Sequence, residues 1–149
     1  MTECSKVFLD TAPLIYFLDS DERYGPKAQA VLEEILSDGK SIVTSAITCT
    51  EYLVYPYRTH NQQKIEVFFE FMDDFGIPLL PINAEIAEKA AQIRARYKDF
   101  KTIDSLQLAA AVWAGCDVFL TNDKQLRQFD EIACITVEEW ALSKQNRTQ

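Results

Sequence analysis

The stretch Lys101–Asp123, KTIDSLQLAAAVWAGCDVFLTND, decides the fold. It places an acid, Asp104, near a helix start, runs through Ala109-Ala110-Ala111, and stops at Gly115. A short strand, Val118-Phe119-Leu120, follows, and a second acid, Asp123, comes just after it. A strand apolar on both faces marks a buried parallel sheet. The alanine run lets the preceding helix lie close on that sheet. Asp104 and Asp123 sit where elements begin or end, positions that face shared clefts more readily than cores.

The same pattern recurs upstream. Val7-Phe8-Leu9 reads as a buried strand that ends at Asp10, and Pro13 suits the first turn of a helix carrying Leu14, Ile15, Phe17 and Leu18. A second helix is expected from Tyr24 to about Ser37, with Gly39 beyond its end. Ser41 to Thr44 reads as the second strand, and Ser45 caps a helix carrying Ile47, Glu51, Val54 and Tyr55 until Pro56 interrupts it. Asn61 to Phe75 has a helical stripe of Ile65, Phe68, Phe69, Met72 and Phe75, read as core or, in part, as a protein-binding face. Ile77 to Ile82 is an edge strand limited by Pro78 and Pro81. Asn83 caps a helix with Ile86, Ala90, Ile93 and Tyr97 on one face. Beyond Asp123, a helix spans Lys124 to Phe129 and a last strand Ile132 to Ile135. Thr136-Val137-Glu138-Glu139 has the form of a capping box. Strands alternating with helices give an α/β fold with a parallel sheet covered on both faces.

Bulk properties narrow the function. A chain of 149 residues, 48% of them apolar, is one domain with a proper core. A net charge of −8 argues against non-specific coating of nucleic acid, which relies on Lys and Arg. It leaves room for a nuclease whose metal ions carry the positive charge. Cys4, Cys49, Cys116 and Cys134 show neither a close pair nor metal-ligand spacing, so free thiols in a reducing compartment are expected. No apolar run reaches the ~20 residues of a membrane span, and no signal peptide is visible. A soluble, cytoplasmic protein with no membrane association is expected.

The inventory of reactive groups is short. The single histidine, His60, lies in a polar turn and reads as solvated, which leaves Ser-His-Asp catalysis and His-rich zinc sites little support. Four scattered glycines make no phosphate loop. Chemistry must come from carboxylates. Asp10 and Asp123 follow parallel strands, whose carboxyl ends share one edge where ligands bind. Asp104 in its first turn, and Glu51 about two turns into its helix, are in reach of the same edge. Each acid alone has an ordinary explanation: Asp104 favours a helix dipole, Asp123 caps a helix, Glu51 is solvated, and Asp10 forms a turn. Converging, they would repel one another by several kcal/mol unless protons or a cation compensated. Oxygen donors without His or Cys match Mg2+ or Mn2+.

At F-L-D-T (Phe8–Thr11), T-E (Thr50-Glu51), I-D-S-L-Q-L-A-A-A from Ile103, and L-T-N-D (Leu120–Asp123), the sequence resembles the PIN domain family. Within that family it resembles the VapC toxins of type II toxin–antitoxin pairs. The resemblance spans nearly the whole chain and places the domain at residues 1–142, with 143–149 a polar tail. It implies a three-layer α/β/α sandwich with a central parallel β-sheet. It also implies Mg2+- or Mn2+-dependent endoribonuclease activity, with Asp10, Glu51, Asp104 and Asp123 as the catalytic, metal-binding acids. Thr11, Thr121 and Asn122 would be supporting polar groups. Family members are usually dimers held inactive by a cognate VapB antitoxin, so RNA, an antitoxin and a second copy of the chain are the implied partners. Ser105 departs from the pattern, since many relatives have Ala there. Lys101, Lys124 and Arg127 flank two of the acids and are candidates for phosphate contact or plain surface charge. Two other readings stay open: a PIN-like module that only binds, and an aspartyl phosphotransfer receiver or phosphatase. The second lacks an acid beside Asp10 and at the end of strand two.

Overall fold

The run ahead of Asp10 is indeed a strand, and it lies in the middle of the sheet. The structure is a computed structural model and describes residues 5–147. Five parallel strands, β1 (Lys6–Leu9), β2 (Ser41–Ser45), β3 (Leu79–Leu80), β4 (Val118–Thr121) and β5 (Ala133–Thr136), are ordered β3-β2-β1-β4-β5. The chain steps outward from β1 to β3, then returns to the other side of β1 to lay down β4 and β5. Strand order therefore reverses between β1 and β4, which is where ligands bind in open α/β sheets.

Helices α1 (Thr11–Leu18), α2 (Gly25–Ser37), α3 (Ala46–Arg58), α4 (Gln62–Asp74), α5 (Ala84–Arg96), α6 (Thr102–Trp113) and α7 (Val137–Arg147) cover the sheet, with a 3-10 turn at Lys124–Gln128. The period of two along each strand sorts the core. Val7, Leu9, Ile42, Val118 and Leu120 face the layer of α1, α2, α3, α4 and α7. Phe8, Val43 and Phe119 face α5 and α6. Phe8 and Phe119 lie in register and stack at 5.2 Å. Burying each such side chain contributes about 1.5–3 kcal/mol. This is the three-layer α/β/α sandwich. Ala109, Ala110 and Ala111 are fully buried, so α6 sits close against α5 and β2, in one cluster with Phe8 and Phe119. Gly115, at φ +70°, then turns the chain into β4, a conformation that costs glycine little. Among the described residues no helix is long and apolar enough to cross a membrane.

Several local expectations need correction. Pro56 does not interrupt its helix: α3 continues to Arg58, because only one amide bond is lost so close to the helix end. The α4 stripe is rotated. Ile65, Phe68, Phe71 and Met72 are buried, while Phe69 and Phe75 are 45% and 43% exposed. Contacts of Phe71 with Phe17 of α1, and of Phe68 with Tyr52 of α3, set that rotation. The edge strand shrinks to two residues between its prolines. The turn after Asp123 is 3-10 rather than α-helical. At the C-terminus, Thr136 caps α7 by accepting from the Glu139 amide, and the helix runs on to Arg147. The tail expected from residue 143 is therefore helical to 147, there being no Gly or Pro to stop it; 148–149 lie outside the described residues. His60 is exposed at φ +51°, closing the last turn of α3. Cys49, Cys116 and Cys134 form no disulfide, and Cys4 lies outside the described residues.

Candidate functional site

Asp10 stands at the carboxyl end of β1, where its amide still bonds to Leu120 of β4 at 2.9 Å. Its extended φ/ψ makes it the N-cap of α1, and one carboxylate oxygen accepts from the Thr11 amide at 2.9 Å. The other oxygen accepts from the Thr121 hydroxyl at 2.9 Å. Thr121 closes β4, and its Oγ1 also accepts from the Asp123 amide at 3.1 Å. One buried threonine thus ties the ends of β1 and β4 together across the switch point. Asp123 in turn caps the 3-10 turn, accepting from the Gln125 amide at 2.9 Å through Oδ1.

Glu51 reaches the same place from α3. The side-chain hydroxyl of Thr11 donates to Glu51 Oε1 at 2.7 Å. Asp104 arrives from the first turn of α6, and Asn122 donates to the Tyr16 hydroxyl on α1 at 2.7 Å. Asp10, Thr11, Glu51, Asp104, Thr121, Asn122 and Asp123 line one open cleft of about 370 Å³ with Ala12. The three flanking cations do not line it. Lys101 is exposed at the N-cap of α6, Lys124 is exposed, and Arg127 pairs with Glu139 of α7 at 3.4 Å.

Electrostatics give the cleft its character. Burial pushes the Asp10 carboxyl up to about 6; bonds from Thr11 and Thr121 oppose this, and the charges of Asp104 and Glu51 add to it. The Asp104 carboxyl is also raised, first by burial and then by Asp123, with Lys101 offsetting part of the effect. Among the described residues none of the four acids forms an ion pair. An unpaired cluster of this kind is stabilised by protons or by a cation.

The donors are all oxygens, which suits a hard divalent ion. As the side chains stand, no three of the described His, Cys, Asp or Glu residues are grouped to hold an ion together. Mg2+ does not require that, since one or two carboxylates with retained waters and phosphate oxygens complete its octahedron. By chemistry the residues present therefore fit Mg2+ or Mn2+.

Beneath the cleft lies a buried polar relay absent from the sequence reading. Thr44 donates to the Leu9 carbonyl at 2.7 Å, and its Oγ1 lies 2.8 Å from that of Thr48. Gln107 of α6 donates to Thr48 at 2.8 Å and accepts from the Ser45 hydroxyl. Thr48 lies 3.2 Å from Thr11, which carries Glu51. The relay locks α6, α3 and the β1 end into one arrangement, so the spacing of Glu51 and Asp10 is set from below. A glutamine inside an otherwise apolar helical run was the available signal. Ser105, the departure beside Asp104, is fully buried with its hydroxyl unpartnered among the described residues.

The comparisons with known proteins agree with the fold. The PIN domain profile matches residues 7–132. Among solved structures, a chain of VapBC2 from Rickettsia felis, bound to a DNA fragment from their promoter, is 14% identical with a TM-score of 0.70. It covers 88% of this chain and 98% of that one. FitAcB from Neisseria gonorrhoeae is 19% identical at TM-score 0.66, covering 89% and 98%. VapC20 from Mycobacterium tuberculosis, a Sarcin-Ricin loop cleaving toxin, is 13% identical at TM-score 0.60, covering 92% and 94%. At such identities the likeness is one of fold. Among curated proteins, none matches the chain in sequence.

Proposed function

We propose that this chain, which belongs to the PIN domain family, is a divalent-metal-dependent endoribonuclease and the toxin of a VapBC-type toxin–antitoxin pair. One observation carries the reading: four carboxylates from four segments line a single cleft at the switch point, with no ion pair among the described residues to neutralise them.

Asp10, Asp104 and Asp123, with Glu51 direct or through water, would hold Mg2+ or Mn2+. A bound ion of that kind lowers the pKa of its water and offsets charge on a phosphate, the chemistry of phosphodiester hydrolysis. The chain's own contribution is positional. Thr121 fixes the outward face of Asp10, and Thr11 fixes Glu51. Empty of cations, the acidic cleft repels an RNA phosphate, so binding of the strand depends on the acids being neutralised. In-line attack of water leaves 5′-phosphate and 3′-hydroxyl ends.

The structural neighbours include a toxin–antitoxin complex from Klebsiella pneumoniae, which supports an antitoxin partner; the homodimer rests on the family resemblance. Exposed Phe69 and Phe75 on α4 offer apolar surface for either. Incubating the purified protein with single-stranded RNA and Mg2+ tests the activity. Cleavage should stop on chelation, and Asp10→Ala should lower the rate by more than about 100-fold with its circular dichroism unchanged. Undiminished cleavage by Asp10→Ala would refute the assignment.

A binding-only module is the second reading, favoured by the fact that the described acids are not grouped around one ion as they stand. It predicts metal-independent RNA binding without product ends.

A further inference from the structure

Beside the acidic cleft, and sharing Glu51 with it, lies a smaller pocket of about 170 Å³ between α1, α3 and α4. Ile15 and Pro56 supply apolar wall, Tyr55 an aromatic ring, and Asp19, Tyr52 and Lys64 the polar edge. We infer that this pocket receives one unstacked nucleobase of the RNA strand whose phosphate occupies the cleft, and that it favours an amino-bearing base over uracil. The inference rests on the ribonuclease reading and extends it to substrate choice.

Three features identify the occupant. The first is continuity: Glu51 lines both cavities, so a strand crossing the cleft brings a neighbouring base to the pocket mouth. The second is Tyr55, which leaves a large ring 65% exposed beside apolar Ile15 and Pro56. Single-stranded RNA is commonly held by stacking unpaired bases on such rings. The volume is below that of typical drug-sized sites and suits a single planar heterocycle. A base pair would not enter, so loops and single strands are the substrates selected.

The third feature is the polar edge. Asp19 Oδ1 accepts from the Tyr52 hydroxyl at 2.9 Å and from Lys64 Nζ at 3.4 Å. These two bonds hold the carboxylate in place. The second oxygen has no donor among the described residues and can accept from the ligand. An exocyclic amino group, as on adenine, cytosine or guanine, satisfies it, with Lys64 beside it to meet a ring or carbonyl acceptor. Uracil offers one N–H flanked by two carbonyls, and those carbonyls would face the carboxylate. A protein side chain, such as one from an antitoxin, is the competing occupant, but nothing in the pocket selects for it over a flat ring.

The test is cleavage of a randomised single-stranded RNA pool with Mg2+, sequencing the product ends, followed by kinetics on one preferred oligonucleotide. The wild-type protein should show one position near the cut depleted of uracil. Tyr55→Ala should raise KM about tenfold, with the loss on KM rather than kcat, and Tyr55→Phe, which keeps the ring, should restore it. Asp19→Asn should relax the bias against uracil; thermal melting monitors its fold. Cleavage with unchanged KM and unchanged end preferences in Tyr55→Ala and Asp19→Asn would overturn the base subsite alone and give the pocket to a protein ligand. If the wild-type protein cleaves no RNA, the ribonuclease reading falls and the subsite with it.

Discussion

The two ends of the sheet carry similar clefts with opposite electrostatics. At the carboxyl end lies the cleft of about 370 Å³ lined by Asp10, Glu51, Asp104 and Asp123. At the amino end lies one of about 380 Å³ with Asp117, Asp130 and Glu131 in its lining. The amino-end acids are all partnered. Asp117 accepts from the Ser5 and Lys6 amides at 2.8 and 2.9 Å, and those bonds hold its carboxyl below the ordinary range. Asp130 pairs with Arg96 at 2.7 Å, which lowers its carboxyl too, and Glu131 pairs with Lys89 at 2.8 Å. At the carboxyl end Asp10 and Asp104 are raised instead, with Lys101 offsetting only part of the Asp104 shift and neither acid in an ion pair among the described residues. An acidic cleft is therefore not in itself a site. What distinguishes the carboxyl end is that burial and mutual repulsion raise Asp10 and Asp104 with no ion pair to them among the described residues, a cost that a structural role does not explain.

Substitutions that treat the two ends alike should break the symmetry of size. The largest difference is expected in RNA cleavage: Asp123→Ala should lose at least about 30-fold in rate, and Asp130→Ala should match the wild-type protein. Comparable losses from both would erase the distinction.

The next difference is in the pH dependence of stability, measured by urea denaturation with a chelator present. The Asp10 carboxyl is raised from 3.8 to about 6 in the folded protein. Its contribution is thus favourable below pH 3.8 and lost as pH rises through about 6. Asp10→Asn should be more stable than wild type above pH 6, by about 1–2 kcal/mol, with the gain vanishing toward pH 4. Asp117 behaves in the opposite sense. Its lowered carboxyl contributes above the unfolded value, and that contribution is lost as pH falls. Asp117→Ala should be less stable at neutral pH by about 1 kcal/mol, with the deficit fading in acid.

Smaller effects sharpen how the carboxyl end is built. Gln107→Leu removes the centre of the buried relay and leaves Ser45 and Thr48 short of partners. It should cost about 1–3 kcal/mol and slow cleavage through Glu51. Ser105→Ala deletes an unpartnered buried hydroxyl and should stabilise by up to about 1 kcal/mol in thermal melts. That would be the smallest change, and a destabilisation would show that the hydroxyl has a partner such as a buried water.

Much of this was legible in the chain. The doubly apolar strands Val7–Leu9 and Val118–Leu120 announce a buried parallel sheet, and acids placed directly after them must share an edge. That reasoning placed Asp10 and Asp123 from position alone. Glu51 and Asp104 depend on helix phase, and the structure brings them to the same cleft. What stayed hidden depends on three-dimensional packing. Phe71 rather than Phe69 is buried because Phe17 of α1 waits there, a contact between segments distant in sequence. The Gln107–Thr48–Thr11 relay joins residues up to 96 positions apart, and no local periodicity reports it. The pairing of Asp117 and Asp130 was equally invisible. Only that pairing shows why their cleft differs from its counterpart.

The central claim is that the acids of the carboxyl-end cleft, which form no ion pair among the described residues, are kept for a divalent cation. Calorimetric titration of Mn2+ into the wild-type protein, Asp104→Asn and Asp117→Asn tests it most directly. Saturable binding in the wild type and in Asp117→Asn, weakened at least about tenfold in Asp104→Asn, is the predicted result. No Mn2+ binding by the wild-type protein, or equal binding by all three, would contradict it.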